Sequence, residues 1–220
     1  FPIFNYLADD VEINWQTSFD RIAGPLIDPV ITTNWYALAS GARLLLGDST
    51  TGDIQLDFSL PNPLRGSLAT SHNLLFFIVG SKSPAIIGLV PDTEQVLFRQ
   101  FIDKTEYLSP IIIDGNNLFI QASNQLHQIN YKTDASRTYP VSGYLPPVIT
   151  PTHIIVADSE IGLQSINRET DAIDWLLPIQ PVLPVTVAKN QLLVTRYAGS
   201  DLIIDVVNPK TGANLHTIKK

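Results

Sequence analysis

The stretch that decides the fold is Asn-Arg-Glu-Thr-Asp-Ala-Ile-Asp-Trp, residues 167–175, a polar turn that leads into an alternating run ending on tryptophan. The chain repeats this pattern at intervals of 37 to 42 residues, and its threonine recurs at Thr51, Thr93, Thr133, Thr170 and Thr211. Self-similarity at a fixed period of this length is typical of a repeat architecture. We therefore predict that the chain folds as successive copies of one unit of about 40 residues.

Two further positions recur in each copy. Three residues before the threonine, four of the five copies carry Asp or Asn, whose side chains bond nearby backbone in turns; the residues are Asp48, Val90, Asn130, Asn167 and Asn208. Five residues after it stand Leu56, Phe98, Thr138, Trp175 and His216. A similar run at residues 10–15 ends on Trp15. We expect Trp15, Phe98 and Trp175 to be buried as wedges between neighbouring units.

Each unit contains four short strand-like runs, and no segment shows a sustained helical period. Proline or glycine introduces the first run, a dense apolar run follows, and two more runs flank the threonine turn. Four antiparallel strands per unit make one blade of a β-propeller. We predict an all-β chain with a short arm at residues 1–9 and a β-propeller domain at residues 10–220, built from four-stranded antiparallel blades.

The number of blades stays open, because the fourth run occurs in six copies and the other three in five. A closed ring of five blades or an arc of a larger propeller would both fit. In a closed ring we expect the strand near residues 12–17 to pair with the C-terminal repeat. The adjacent Trp35 and Tyr36 point to opposite faces of one strand, so we expect one in the core and the other exposed or under the arm.

The bulk composition narrows the functional classes. The chain has 220 residues, 45% of them hydrophobic and 16% charged, with a net charge of −7. This predicts a folded, core-rich protein and argues against a nucleic-acid partner, which needs clustered lysine and arginine. Cysteine is absent, which excludes disulfides and thiolate chemistry. The lack of methionine, even at position 1, leads us to expect a mature, trimmed or partial chain.

No apolar run approaches 18 residues, so we expect no transmembrane segment. Any membrane association would come through a lipid anchor or a partner. The four histidines lack metal-ligand spacing, and the carboxylates at Asp158 and Glu160 or at Asp9 and Asp10 fit solvated turns better than a calcium loop. No nucleophile, phosphate or dinucleotide motif is present. We therefore predict no catalytic, cofactor-binding or metal-binding residues, and no enzyme.

The residues most suited to binding lie in loops. In a propeller, the loops that join successive blades share one face with the loops between the second and third strands. These loops carry arginine and tyrosine, which are favoured at protein interfaces. The candidate partner-binding residues are Arg43, Arg65, Tyr107, Tyr144, Arg196 and Tyr197. Carboxylates in the same loops make the face mixed in charge, so a solvated loop face is the competing interpretation.

The pattern Asp/Asn-x-x-Thr-Gly-x-x-x-Trp resembles the PQQ-like β-propeller repeat. It is carried by Asp48, Thr51 and Gly52, by Asn167, Thr170 and Trp175, and by Asn208, Thr211 and Gly212. That family includes quinoprotein alcohol dehydrogenases and non-enzymatic, BamB-like periplasmic scaffolds of outer-membrane protein assembly. The vicinal cysteine pair of the quinoproteins cannot exist here, and the tryptophan is often replaced, so no cofactor ligand is carried over.

The resemblance implies a non-enzymatic scaffold or protein-binding propeller located in the periplasm or outside the cell. Two alternatives stay open. One is a ligand- or sugar-binding propeller domain of a larger surface protein. The other is a degenerate binder of a quinoprotein-type cofactor.

Overall fold

The computed structural model describes residues 26–80, 83–103 and 107–219, and every regular element in these ranges is a β-strand. No helix that could cross a bilayer occurs among them. The chain divides into two compact units, Phe1–Leu64 and Arg65–Lys220. The predicted arm at residues 1–9, the strand near residues 12–17 and the wedge Trp15 lie outside the described residues.

The described residues form five four-stranded sheets, each with its strands in sequence order. The determined pairings between neighbouring strands are all antiparallel. Sheet 1 contains β1 (Leu26–Ile31), β2 (Trp35–Ser40), β3 (Arg43–Asp48) and β4 (Ile54–Ser59). Sheet 2 contains β5 (Leu64–Ser71), β6 (Leu74–Val79), β7 (Ala85–Val90) and β8 (Gln95–Phe101).

Sheets 3 to 5 repeat the same arrangement. Sheet 3 contains β9 (Ile112–Asp114), β10 (Asn117–Ala122), β11 (Gln125–Asn130) and β12 (Ser136–Pro140). Sheet 4 contains β13 (Val148–Ile149), β14 (His153–Asp158), β15 (Gly162–Asn167) and β16 (Ile173–Leu177). Sheet 5 contains β17 (Thr186–Ala188), β18 (Gln191–Ala198), β19 (Asp201–Val207) and β20 (Asn214–Lys219). The prediction of repeated four-stranded antiparallel units is confirmed.

The repeated threonine turn owes its shape to its own side chains. In sheet 4, Asn167 Oδ1 accepts hydrogen bonds from the backbone N–H groups of Glu169 (3.0 Å) and Thr170 (3.2 Å). Thr170 Oγ1 then accepts from the N–H of Ala172 at 3.4 Å. Asp171 between them has a left-handed φ of 60°. The same bonds recur in sheets 1, 3 and 5 around Asp48, Asn130 and Asn208.

Apolar layers fill the space between successive sheets of the unit Arg65–Lys220. Sheets 2 and 3 share a core that includes Phe76, Phe98 and Leu118. Further cores join sheet 3 to sheet 4 and sheet 4 to sheet 5. Phe98 and Trp175 are buried in these layers, so both are wedges as predicted.

Trp175 also makes a specific contact with the turn of the next sheet. Its indole Nε1–H donates to the carbonyl of Pro209 at 3.0 Å. Its ring lies so close to Gly212 that a Cβ there would stand 2.8 Å from the ring carbon Cδ2. The glycine of one threonine turn therefore makes room for the aromatic side chain of the preceding sheet.

Sheet 3 departs from the repeat at the wedge position. Thr138 is exposed, and the buried aromatic is Tyr139, one residue later. The cause is a difference in register, because the last two strands of sheets 1, 2, 4 and 5 pair with a bulge and those of sheet 3 pair without one. In sheet 1, Trp35 and Tyr36 are both buried, and the Tyr36 hydroxyl donates to the Gly52 carbonyl at 3.0 Å.

Candidate functional site

The predicted binding residues stand at one end of their sheets. This end, here called the connection face, consists of the turns between the second and third strands and the segments that lead to the next sheet. Backbone hydrogen bonds join the two kinds of loop, as between Ile102 N–H and the Pro84 carbonyl (2.9 Å) and between Gly143 N–H and the Ser123 carbonyl (2.9 Å). In the unit Phe1–Leu64, the Leu60 N–H likewise donates to the Ala42 carbonyl at 2.7 Å.

Residues 141–143, which connect sheets 3 and 4, are held at every position. The buried Gln121 side chain donates to the Val141 carbonyl at 2.7 Å, and Asp158 Oδ2 accepts from the N–H of Ser142 at 2.8 Å. Gly143 approaches the Ala157 carbonyl so closely that a Cβ would stand 2.4 Å from its oxygen. Because the preceding backbone is fixed, Tyr144 is presented from a defined position.

Tyr144 forms an aromatic pair with Tyr107, which precedes β9. Their ring centroids are 6.3 Å apart and the planes meet at 89°, an edge-to-face arrangement. The Tyr107 backbone N–H donates to Ser123 Oγ at 3.4 Å. Burial raises the pKa of Tyr107 above its ordinary value, with a further contribution from Tyr144. Tyr144 itself is 52% exposed, so the pair offers a supported aromatic surface to solvent.

Two of the candidate arginines are engaged by carboxylates of their own sheet. Arg43 makes a bidentate contact with Asp57 on β4, Nε to Oδ1 at 2.8 Å and Nη2 to Oδ2 at 2.5 Å. The hydrogen bond from Arg43 holds the pKa of Asp57 below its usual value. Arg196 bonds through Nε to the buried Asp205. Neither guanidinium is presented to a partner as an isolated charge.

The remaining candidates are Arg65 and Tyr197. Arg65 is the second residue of β5 and is half-buried. Tyr197 is 62% exposed near the end of β18, next to Arg196 and on the opposite face of the strand. Among the six predicted residues, the structure brings Tyr107 and Tyr144 into contact with each other.

Asp158, which the sequence pattern assigned to a solvated turn, helps to shape this site. Asp158 is buried, and besides Ser142 its carboxylate accepts the N–H groups of Glu160 (2.8 Å) and Ile161 (3.1 Å) through Oδ1. An Asp at the end of an apolar strand, followed by Ser, is a sequence signal for such a turn. Within residues 26–80, 83–103 and 107–219 there is no cluster of three or more potential metal ligands.

His153, at the other end of sheet 4, makes side-chain hydrogen bonds through both of its ring nitrogens. His153 Nε2 and Asp174 Oδ2 are 2.8 Å apart, and His153 Nδ1 lies 2.8 Å from Thr152 Oγ1. Asn167 Nδ2 also donates to Asp174, at 3.1 Å. These bonds join the start of β14 to the threonine turn and to β16, so the group fastens the sheet together.

Comparison with known proteins identifies the fold. No protein-family model and no curated protein matches the chain. BamB from Moraxella catarrhalis superimposes with a TM-score of 0.67 and 14% identity, over 86% of this chain and 62% of that one. Hsv2 from Kluyveromyces lactis gives a TM-score of 0.63 and 9% identity, over 90% of this chain and 64% of that one.

The extracellular domain of a putative one-component system, BT4673 from B. thetaiotaomicron, gives a TM-score of 0.62 and 11% identity, over 85% of this chain and 28% of that one. This chain therefore spans less than two thirds of the length of each of these three proteins. BamB and Hsv2 are β-propellers, and the five sheets reported above have the strand order of propeller blades. The chain has a β-propeller fold.

Proposed function

We propose that this chain is a non-enzymatic propeller scaffold that binds a protein partner through the connection face, in the periplasm or outside the cell. The observation that carries the proposal is the Tyr107–Tyr144 pair, in which Tyr144 directly follows the fixed segment 141–143. A rigid, amphipathic aromatic side chain gives a large contact area at a low cost in conformational entropy. A partner that covers Tyr144 would bury its ring without having to order the loop beneath it.

The repeat signature and the comparisons support the cellular context. The threonine-turn motif resembles that of BamB-like scaffolds of outer-membrane protein assembly, and the fold is similar to that of BamB. A second similar structure is an extracellular domain. With no cysteine in the chain, it would fold in an oxidising compartment without disulfide exchange.

Site-specific photo-crosslinking tests the proposal. A benzoylphenylalanine replacing Tyr144 is expected to crosslink to a protein in envelope fractions of cells that produce the chain. Tyr107→Ala should reduce the yield, because it removes the ring that supports position 144. Ile173, an exposed residue of β16, is the control position and is expected to give no such product.

Two results would contradict the proposal. One is a crosslinking pattern from position 144 that is indistinguishable from that of position 173. The other is binding to a glycan array that Tyr144→Ala abolishes, which would favour a sugar-binding propeller, since an exposed tyrosine ring can also stack on a pyranose.

A further inference from the structure

The outer strand of sheet 2 is a long edge with one charged residue, Arg99. Among the described strands, β8 is hydrogen-bonded to β7 alone. It is seven residues long, against five or six for the fourth strands of the other sheets. Proteins protect edge strands with proline, lysine, other charges or short length. The corresponding strands have Asp57, Pro140, Asp174 and Lys219, whereas β8 contains no proline and no carboxylate and has Arg99 as its one charge.

The exposed side chains of β8 are mainly apolar. Val96, Leu97 and Phe101 are 52%, 56% and 58% exposed. Arg99 shares a strand face with Phe101, and its guanidinium carbon lies 5.0 Å from the centre of that ring. Arg99 has no carboxylate partner among the described residues. The strand therefore combines an apolar surface with one cation held in position.

The register of β8 shows which of its backbone groups point away from the sheet. Ile102 N–H donates to the Pro84 carbonyl at 2.9 Å, and hydrogen-bonded pairs alternate along an antiparallel ladder. Gln100 therefore bonds inward to Ile86, its partner in the register, while the N–H and C=O groups of Arg99 and Phe101 point outward. The Gln100 side-chain amide donates to the Phe101 carbonyl at 3.2 Å, where a neighbouring strand would otherwise supply the donor.

We propose that this edge docks an extended segment of a partner protein as a fifth strand of sheet 2. Backbone hydrogen bonds to Arg99 and Phe101 provide the affinity, and alternate side chains of the segment provide the specificity. The segment carries an apolar residue against Phe101 and a carboxylate facing Arg99. This inference does not depend on the connection face, because none of the six candidate residues there belongs to β8.

Selection from a phage-displayed library of random nonapeptides tests the proposal on the intact chain. Because Arg99 and Phe101 share one face of the strand, selected peptides are expected to carry an apolar residue two positions away from an Asp or Glu. A synthetic copy of the strongest should slow amide hydrogen exchange at Arg99 and Phe101. Arg99→Pro removes an outward N–H without breaking the bonds to β7, and we expect it to weaken peptide binding by about tenfold or more.

A second variant and a control make the result decisive. Phe101→Lys adds the charge typical of protected edges and keeps the backbone N–H groups, so it is expected to weaken peptide binding to a similar extent. It tests the proposal independently if Arg99→Pro lowers the thermal stability. Ile173→Lys changes an equally exposed residue on the edge strand β16 and should leave affinity within about twofold. Failure to select peptides above background, protection at sites other than β8, or pairing of β8 with a second copy of this chain would each overturn the proposal.

Discussion

Trp175 provides the sharpest test of how successive sheets are joined. Its ring lies in the core between sheets 4 and 5, it is 8% exposed, and its Nε1–H donates to Pro209. Trp175→Ala should lower the free energy of unfolding by roughly 3–5 kcal/mol, the usual cost of emptying a large aromatic site. Trp175→Phe retains most of the packing but leaves the Pro209 carbonyl without its donor, so a loss of about 1–3 kcal/mol is expected.

Gly212 makes the test specific to the contact between the two sheets. Its φ of 68° is left-handed, and an added Cβ would stand 2.8 Å from the Trp175 ring. Gly212→Ala therefore carries two costs, the left-handed backbone at about 1–2 kcal/mol and the steric overlap. In the Trp175→Ala background the overlap disappears, so the two changes should show a coupling of about 0.5–3 kcal/mol.

Urea denaturation followed by far-UV circular dichroism measures the wild type and all four variants without relying on tryptophan fluorescence. His216→Ala is the matched control, because His216 holds the corresponding position in sheet 5 and is exposed. Its cost should stay within about 0.5 kcal/mol. The reasoning fails if Trp175→Ala costs less than about 1 kcal/mol, or if Gly212→Ala costs the same in both backgrounds.

Three further changes test other parts of the molecule. Burial alone would raise the pKa of Asp205, but hydrogen bonds from Arg196, Thr217 and Asn214 lower it. The lowered pKa means that the ionised carboxylate stabilises the folded state. This contribution to the free energy of unfolding is present above the unfolded pKa of about 3.9 and is lost as the pH falls through the folded pKa. Asp205→Asn should cost about 1.5–3 kcal/mol at neutral pH and reduce the acid-induced loss of stability, measured by urea titrations from about pH 7 to pH 2. Tyr139→Phe removes hydroxyl bonds to Gln128 (3.0 Å) and to Asp171 of the next sheet (3.3 Å), and thermal melts should show a loss of about 1 kcal/mol. Asn208→Ala leaves two turn N–H groups without their acceptor, and faster hydrogen exchange at Lys210 and Thr211 is expected.

The sequence predicts the repeat unit well because the threonine turn is determined locally. Asp or Asn, Thr and the residue after Thr lie within five positions of one another, and their bonds need no distant partner. In sheet 2 the turn forms without the Asp or Asn side chain. Val90 has no side-chain acceptor, yet Glu94 still adopts a left-handed φ of 57°, because the pairing of β7 with β8 maintains the turn.

The candidate site is less predictable, because its residues act through neighbours distant in sequence. Tyr107 and Tyr144 meet only after the chain has formed the whole of sheet 3 between them. Arg43 and Arg196 look like available cations in the sequence, but strand pairing brings Asp57 and Asp205 beside them. Choosing arginine and tyrosine in loops therefore does not distinguish side chains engaged by a carboxylate from side chains presented to solvent.

The wedge of sheet 3 shows why counting residues from the turn fails even in a regular repeat. A bulge adds one residue to the fourth strand and moves each later side chain to the other face of the sheet. Sheet 4 has this bulge, so the fifth residue after its threonine is the inward Trp175, opposite the buried Ser165. Sheet 3 lacks it, so inward positions fall at the fourth and sixth residues, and Tyr139 takes the buried site in place of Thr138. The Tyr139 hydroxyl donates a hydrogen bond to Asp171 in the threonine turn of the following sheet. Trp175 likewise donates a hydrogen bond to Pro209 in the threonine turn of its following sheet. An aromatic residue touching the next turn is thus retained in both sheets while its sequence position changes.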